Sequence, residues 1–569
     1  MVDQQHDSLR PTGIGRRSLL RGVAGLTGGA AILSTTQVEA TPVSTAANLA
    51  GDKIRAGRGL ARASTRQGEV GGYVSGDIFT FKGVPYADET GGEHRFLPPR
   101  PPKPWTGVRS ARSYGPVALQ DKGTGRLNDE ESFVFNWNDS VSNEDCLRLN
   151  VWTPGLDTER RPVVVWLHGG GFAAGSGHDL PAFDGENLAR RGDVVVVTLN
   201  HRLNLLGFLD LSAYGERYVR SANVGMLDIV AALEWIRDNV HAFGGDPGRV
   251  TVFGQSGGGA KVSVLMGMPR AKGLFHRAVV MSGSFGMANT RATSQRLAAS
   301  LLRELGLTDD ELDRLQSLPY ARLRAAADAV LARENRPFPG FVDVRPANMR
   351  VDFAPTVDGD DLPDMPFRPN APSLSADVPM MIGSTLNEFA HGINHPNIEA
   401  MGETELMSRV EQFAPGQSAR IVAAFRATTP DASPFDLWSR IVSAPVRQAA
   451  VDQAAAKASA GSAQAYLYWF TWRTPILDGR PRAFHCLDIP FIFANTDRCA
   501  TMTGGGARAR DLSLKMTDAF LAFARDGNPN TASGVAWPAF QPARARGMIF
   551  DDTCRVEPLS DASERASLA

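Results

Sequence analysis

Three features are scarce in this sequence: cysteine, excess charge of either sign and long apolar runs. Four cysteines in 569 residues are too few for a disulfide scaffold, and their wide spacing is not that of a zinc site. Lysine and arginine total 60 against 61 aspartate and glutamate, so neither a nucleic-acid partner nor an acidic tail is indicated. No run of about 18 or more apolar residues occurs, so we expect no stable membrane insertion.

The amino terminus differs from the rest of the chain. Arg16 and Arg17 precede an apolar stretch at 22–33 and a small-residue segment at 38–40. A charged region, a short apolar region and a cleavage-like site are the parts of an export signal, and adjacent arginines are typical of the twin-arginine type. We expect residues 1–40 to be removed from a periplasmic or secreted bacterial protein. A plain basic tail is the alternative interpretation.

The four cysteines are expected to be buried free thiols. They are Cys146, Cys486, Cys499 and Cys554. For an exported protein, a disulfide between Cys499 and Cys554 stays open.

The order of apolar runs predicts an α/β fold. Continuous runs at 162–167, 194–199, 250–253 and 278–281 suit parallel strands buried on both faces, and 227–240 has helical spacing. Strands that alternate with helices predict a mostly parallel central sheet with helices on both faces. We expect one domain over 41–569. Two helix-rich segments are interpreted as insertions that cover the carboxyl ends of the strands, at about 288–372 and 401–465.

A glycine-rich corner surrounds one serine. The segment TVFGQSGGGAKVSVLM, from Thr251, joins a strand-like run to a helix-like run through Ser256. Such a strand-turn-helix is the nucleophile elbow, in which glycines let strand and helix approach closely. The hydroxyl then stands beside a helix amino terminus, which favours an oxyanion. Taken alone the motif is weak, because glycine and serine are common in loops.

A second glycine cluster follows another predicted strand. In VVVWLHGGGFAAGSG, glycines 169–171 come directly after the run at 162–167. Without side chains, their N–H groups can point into one cavity, as an oxyanion hole requires. A flexible turn is the alternative.

A serine nucleophile needs a histidine base and a carboxylate that orients it. His485, in RAFHCLDIPFIF, lies in a loop before an apolar run and late in the chain, as the order Ser, acid, His requires. For the acid, Glu388 follows an apolar run and so lies at a strand end, whereas Asp358 sits in a Pro/Gly/Asp cluster typical of a turn. On spacing alone, a lone histidine is more often a packed or surface residue.

The sequence resembles the type B carboxylesterase family, which includes cholinesterases, para-nitrobenzyl esterases and related lipases. The resemblance covers most of the mature chain and rests on these segments: FKGVPYA, RFLPPRPPKPW, NEDCLRLNVWTP, HGGGF, NVGMLDIVAALEWIRDNVHAFGGDPGRVTVFGQSGGG, AVVMSGS, GSTLNEF, AFHCLDIPFIF and DGNPNTASGVAWPAF. It implies the α/β-hydrolase fold, with Ser256 as nucleophile, Glu388 as triad acid and His485 as general base and acid. It also implies three oxyanion-hole N–H donors, those of Gly170, Gly171 and Gly257.

The resemblance assigns supporting roles as well. Ser282, in VVMSGS, matches a serine that supports the acid, and Arg95 with Glu144 matches a structural ion pair. Cys146 has no expected disulfide partner, because Ala118 stands where many members carry a cysteine.

Three positions near the site depart from the family. Gln255 replaces the usual glutamate before the nucleophile, Gly257 replaces a frequent alanine, and Phe389 replaces the usual glycine after the acid. The triad positions are unchanged.

We therefore expect a serine hydrolase that cleaves small-molecule carboxylic esters through an acyl-enzyme, without metal or cofactor. Two alternatives stay open: a non-catalytic binding protein on the cholinesterase scaffold, and an amidase or thioesterase with the same triad. Neither the particular ester nor the oligomeric state is indicated by the sequence.

Overall fold

A computed structural model describes residues 53–120, 129–138, 140–284, 288–335, 351–389, 392–461 and 463–568. The predicted export signal at 1–40 lies outside the described residues. Within them, no helix combines the length and the apolar character needed to cross a bilayer.

The described residues form seventeen strands. In chain order they are β1 (Ile54–Arg55), β2 (Arg62–Thr65), β3 (Gly68–Gly71), β4 (Tyr73–Ser75), β5 (Ile78–Pro85), β6 (Val108–Ser110), β7 (Arg148–Thr153), β8 (Arg161–Leu167), β9 (Val195–Leu199), β10 (Gly245–Gln255), β11 (Arg277–Met281), β12 (Asn289–Thr290), β13 (Thr356–Val357), β14 (Met380–Thr385), β15 (Ala465–Phe470), β16 (Arg546–Phe550) and β17 (Arg555–Pro558).

The same part of the chain contains fifteen α-helices. They are α1 (Asp129–Phe135), α2 (Glu186–Gly192), α3 (Asn204–Phe208), α4 (Val224–Asn239), α5 (Gly257–Met266), α6 (Arg291–Leu305), α7 (Arg314–Ser317), α8 (Tyr320–Glu334), α9 (Glu403–Phe413), α10 (Ser418–Thr428), α11 (Pro434–Ser459), α12 (Ile489–Ile492), α13 (Ala500–Thr503), α14 (Ala507–Asp526) and α15 (Ala562–Ala566).

Twelve of the described strands form one sheet, in the order β1-β4-β5-β7-β9-β8-β10-β11-β14-β15-β16-β17. From β9 to β16 the neighbours are parallel, and the strands on both sides of this block are antiparallel. The predicted parallel core of the sheet is therefore confirmed. Because parallel strands place their carboxyl ends at one edge, the loops after β8, β10, β14 and β15 meet there.

The sheet separates two hydrophobic cores, which is why its central strands are mostly apolar. In β8, Val163 and Val165 pack into one core, whereas Val164 and Trp166 pack into the other. Side chains that alternate between two buried faces leave no position for polar residues. Helices α4, α5 and α6 contribute to the first core and α2, α12 and α14 to the second, so helices cover both faces.

The predicted central elements agree with the structure to within a few residues, with one difference. The strand predicted at 250–253 begins earlier, at Gly245 of β10, and its pairing with β8 is interrupted between Gly245 and Val250. Asp246 holds this interruption, because its carboxylate accepts the N–H of Gly248 at 2.9 Å. A strand can therefore contain a short turn when the extra residues are accommodated by a register shift in its pairing.

Helices occupy both segments that were interpreted as insertions. In the first, α6 and α8 add leucine and valine side chains to the core next to α5. In the second, α9, α10 and the amino-terminal half of α11 enclose a small core of their own around Leu406, Ile421 and Phe435.

All four cysteines are free thiols, so the disulfide that stayed open between Cys499 and Cys554 is not formed. Cys499 is buried just before α13, whereas Cys554 lies in the hairpin between β16 and β17, where its Sγ faces the carbonyl of Asp551 at 3.8 Å. The two side chains belong to different local structures.

Arg95 and Glu144 form the ion pair that the family resemblance implies. Arg95 donates from Nε and Nη2 to the two carboxylate oxygens, each at 2.6 Å, and Nη1 donates to the carbonyls of Leu315 and Leu318. The pair therefore ties the amino-terminal region to the first insertion.

Candidate active site

Ser256 lies at the turn between β10 and α5, in a strained backbone conformation. Its φ is 56° and its ψ is −124°, which a non-glycine residue adopts only at a cost of about 1–3 kcal/mol. Two backbone hydrogen bonds hold the turn: Ser256 N–H donates to the carbonyl of Met281 at 2.8 Å, and the Ser256 carbonyl accepts from Ala260 N–H at 3.0 Å. The side chain is partly exposed at the carboxyl edge of the sheet.

The glycines around Ser256 are required by close backbone contacts. A Cβ on Gly258 would lie 1.9 Å from the carbonyl oxygen of Leu167, and one on Gly254 would lie 2.5 Å from the carbonyl carbon of Gly258. Because these neighbours are backbone atoms of β8 and α5, no side-chain rotation can relieve the contacts.

We expect Gly258→Ala to destabilise the fold by about 3 kcal/mol, because overpacking against rigid backbone outweighs the roughly 1 kcal/mol that alanine contributes to a helix. Gly402→Ala is the matched control, since a Cβ there meets nothing within 4 Å. Urea unfolding measures both variants. Equal midpoints for Gly258→Ala and the wild type would show that the elbow is not tightly packed.

The glycine segment after β8 packs directly on this turn. Gly170 and Gly171 have φ values of 78° and 61°, which are typical of glycine. A Cβ on Gly257 would lie 2.5 Å from the nitrogen of Gly171, and one on Gly169 would lie 3.5 Å from Cβ of Ser256. The structure therefore brings the three predicted N–H donors together beside Ser256.

His485 and Glu388 are in direct contact. Nδ1 of His485 lies 2.5 Å from Oε2 of Glu388, and the glutamate side chain is fully buried. Backbone pairing aligns their two loops: the N–H of Asn387 donates to the carbonyl of Ala483 at 3.1 Å, and the N–H of Ala483 donates to Oδ1 of Asn387 at 3.3 Å. The carboxylate thus orients the imidazole with its Nδ1 proton toward the acid.

The environment keeps Glu388 ionised. Burial alone would raise the pKa of Glu388, but the adjacent His485 lowers it below its ordinary value. Oε1 accepts from Ser384 Oγ at 2.7 Å and from the N–H of Thr385 at 3.0 Å. Ser282 is buried nearby and also lowers this pKa, but within the described residues Ser384 is the serine that donates a well-formed hydrogen bond.

The pKa of His485 shifts in the opposite direction. Burial opposes the charged imidazole, but Cys486 and the carboxylate of Glu388 outweigh burial and raise the pKa of His485 well above 6.5. A carboxylate partner stabilises the imidazolium that forms when a base accepts a proton.

Gln255 is a contact that the sequence did not predict. Its Nε2 lies 3.1 Å from Nε2 of His485, and its Oε1 accepts from Sγ of Cys486 at 3.2 Å. In the part of the chain that the structure describes, no hydrogen bond joins Oγ of Ser256 to His485. The ring nitrogens of His485 instead contact the side-chain amide of Gln255. The only sequence signal was the departure from glutamate at this position.

Asp358 is a turn residue, as its surroundings in the sequence indicated. Its Oδ1 accepts from the N–H groups of Asp360 and Leu362 at 3.0 and 2.9 Å, and its Oδ2 accepts from the amide of Asn223 at 2.8 Å. These bonds occupy the carboxylate, and it is Glu388 whose carboxylate contacts His485.

Phe389 forms an aromatic wall beside the histidine. Its ring centroid is 4.9 Å from that of His485, and 49% of the residue is exposed. An exposed aromatic ring against the imidazole provides an apolar surface for a bound group.

A cavity of about 1090 Å³ is lined by Lys82, Tyr114, Trp137, His178 and Arg498 among others. Phe135 contacts both Trp137, which lines this cavity, and Phe484, the residue before His485.

The fold and this arrangement of serine, glycines, histidine and glutamate define an α/β-hydrolase of the serine-hydrolase class. The family described as "Carboxylesterase family" matches residues 61–560. The chain belongs to this family, and it is an enzyme that hydrolyses carboxylic esters.

Individual relatives agree with this assignment. "Para-nitrobenzyl esterase" of Bacillus subtilis is 34% identical over 514 residues, which cover 89% of this chain and 98% of the relative. "Phenmedipham hydrolase" of Pseudarthrobacter oxydans is 34% identical over 498 residues, which cover 86% and 95%.

Solved structures show the same fold. A carboxylesterase of Geobacillus stearothermophilus has a TM-score of 0.74 at 35% identity and covers 90% of this chain and 100% of that one. An esterase of Clostridium hathewayi, described as able to hydrolyse aliphatic aromatic polyesters, has a TM-score of 0.76 at 36% identity, with 90% and 98% covered. The predicted α/β-hydrolase fold is confirmed.

Proposed function

We propose that the chain hydrolyses esters through an acyl-enzyme on Ser256, with His485 as general base and acid and Glu388 as the acid of the triad. The observation that carries the proposal is the 2.5 Å contact between His485 and Glu388 at the edge of the sheet where Ser256 stands. A buried carboxylate that holds an imidazole beside an exposed serine is the arrangement that activates a hydroxyl.

In the proposed reaction His485 takes the Ser256 proton through Nε2 while Oγ attacks the ester carbonyl. The C–O bond to the alcohol then breaks, and His485 returns the proton to the leaving alcohol. A water molecule repeats the attack on the acyl group and releases the acid. The N–H groups of Gly170, Gly171 and Gly257 receive the oxyanion in both halves.

For this transfer Nε2 must exchange its contact with Gln255 for one with Ser256. Gln255 and Ser256 are adjacent in the chain, and in the proposed exchange Nδ1 of His485 stays bound to Glu388. Catalytic hydrogen bonds commonly form fully only when substrate is bound.

Apolar esters are the proposed substrate class, because the exposed face of Phe389 lies against the catalytic imidazole. Two of the relatives are named for the hydrolysis of para-nitrobenzyl esters and of phenmedipham. The test compares p-nitrophenyl butyrate with the matched anilide and thioester. We expect the ester to be cleaved fastest. A faster anilide or thioester would favour the amidase or thioesterase alternative, and the absence of both turnover and fluorophosphonate labelling would favour a binding protein.

Export of the mature chain from residue 41 is also proposed, supported by the arginine pair and the apolar stretch at 22–33. Mass spectrometry of protein recovered outside the cytoplasm of a bacterial host tests it. An intact amino terminus retained in the cytoplasm would contradict it.

The pH dependence follows from the raised pKa of His485. His485 accepts a proton only when neutral, so kcat/KM should fall as the pH decreases through this pKa, with a midpoint above 6.5. Glu388→Gln removes a carboxylate that raises the pKa, so the midpoint should move to lower pH while kcat falls about 10³- to 10⁴-fold. An unchanged midpoint in the variant would contradict the proposed pairing.

A further inference from the structure

Lys261 is a fully buried lysine on the helix that carries the nucleophile. It lies on α5, one turn beyond Gly257, and its side chain is 0% exposed. A buried ammonium is costly unless its surroundings use it, and the proposed reaction assigns it no step. Its contacts therefore indicate its role.

These contacts involve both ends of the glycine segment. Nζ donates to the carbonyl of His168 at 2.9 Å, directly before the three glycines. The same Nζ lies 5.5 Å from the ring centroid of Phe172, directly after them. One side chain therefore contacts both residues that flank the segment, from the side of α5.

The hydrogen bond to the His168 carbonyl fixes the orientation of the peptide unit that leads into the glycines. The peptide unit is planar, so the direction of this carbonyl fixes the opposite direction of the Gly169 N–H. Glycines at positive φ have few steric restraints of their own, and Gly170 and Gly171 both lie there. Local hydrogen bonds from the N–H groups of Ala173 and Ala174 to the Gly170 carbonyl hold the end of the segment, and the contact with Lys261 holds its beginning.

Among the described residues, Lys261 donates to a backbone carbonyl and forms no ion pair with a carboxylate. The rings of His168 and His201 stack at 4.9 Å, and each donates from Nδ1 to a backbone carbonyl. Burial, reinforced by Lys261, lowers the pKa of both histidines well below 6.5, so they are neutral. Burial lowers the pKa of Lys261 to about 7, a shift that the nearby Asp179 opposes, and no ion pair joins these two side chains among the described contacts.

We propose that Lys261 is a positioning residue of the esterase reaction: its amino group donates a hydrogen bond to the His168 carbonyl and thereby aligns the glycine N–H groups that receive the oxyanion. This inference rests on the proposed function of those glycines. Lys261 acts through the backbone and touches no reacting atom. Its loss therefore weakens binding of the transition state more than binding of the ester.

Lys457 offers a matched control. It is also buried, and its Nζ donates to the carbonyls of Ser375 and Ala376, each at 2.8 Å. These carbonyls precede β14, at the opposite end of that strand from Glu388. Lys457→Met therefore measures the cost of losing a buried lysine without any effect on the oxyanion segment.

The test compares Lys261→Met with Lys457→Met for turnover of p-nitrophenyl butyrate and for inhibition by a trifluoromethyl ketone, whose adduct with the serine carries an oxyanion. We expect Lys261→Met to lower kcat about 10- to 100-fold while KM stays within about twofold of the wild-type value. The affinity for the ketone inhibitor should fall by a factor similar to that for kcat. Lys457→Met should lower the melting temperature but keep kcat within about twofold.

Lys261→Gln retains a donor for the His168 carbonyl and should recover part of the lost kcat; it also serves if the methionine variant does not fold. Wild-type kcat and ketone affinity in a folded Lys261 variant, or equal losses in Lys457→Met, would overturn the proposal. A wild-type enzyme that neither turns over nor reacts with a fluorophosphonate would instead overturn the proposed function itself.

Discussion

Ser256→Ala is expected to lower turnover of p-nitrophenyl butyrate by about 10⁵- to 10⁶-fold, because the variant has no nucleophile to form the acyl-enzyme. Folding should be nearly unchanged. Ser256 makes its structural hydrogen bonds through the backbone, and alanine keeps the N–H to Met281 and the carbonyl to Ala260. Steady-state kinetics and urea unfolding of the same preparation separate the two effects.

Ser263→Ala is the matched control for this variant. Ser263 lies on the same helix, is buried, and donates to the carbonyl of Gly259 at 3.1 Å. Its replacement should leave kcat within a few-fold. Substantial activity in Ser256→Ala together with loss of activity in Ser263→Ala would show that Ser256 is not the nucleophile.

His485→Ala is expected to cost about as much as Ser256→Ala, and the double variant should cost no more than either single one. Residues that act as one unit in a proton transfer give non-additive losses, since without a base the hydroxyl is not activated. Rapid kinetics on the three variants, at equal concentrations of folded protein, measure this.

His276→Ala serves as the control for loss of an imidazole. Its Nδ1 accepts from the N–H of Val250 at 3.2 Å, at the amino end of the paired part of β10 and far along that strand from Ser256. We expect at most a small loss of activity. If the losses from Ser256→Ala and His485→Ala multiplied in the double variant, the two residues would act independently and the proposed proton transfer would be contradicted.

The elements that the sequence predicted well are those specified by local patterns. The runs 162–167, 250–253 and 278–281 of β8, β10 and β11 are almost entirely apolar because both faces are buried, and the turn at Ser256 is specified by glycines that backbone contacts require. The edge strands could not be predicted in the same way. β1 and β17 are short and largely exposed, so their pairing depends on the sheet beside them.

The residues of the candidate site also differ in how far a local pattern predicts them. Ser256 and the glycine segment follow from motifs within single stretches of chain, whereas the choice of His485 and Glu388 required the family resemblance, because their loops meet only in the folded protein. The contacts of Gln255 with His485 and of Lys261 with His168 join segments that are distant in the chain, and they depend on the side-chain rotamers adopted in the folded protein. A single sequence carries no signal for such pairs beyond an unusual residue at one position.

Peptide mapping after reaction with a fluorophosphonate tests the central claim most directly, because the reagent attaches to an activated nucleophile. We predict one phosphonyl group per chain, located on Ser256, and loss of esterase activity in proportion to labelling. Full activity in protein labelled at Ser256, or complete inactivation with the label on another residue, would contradict the account.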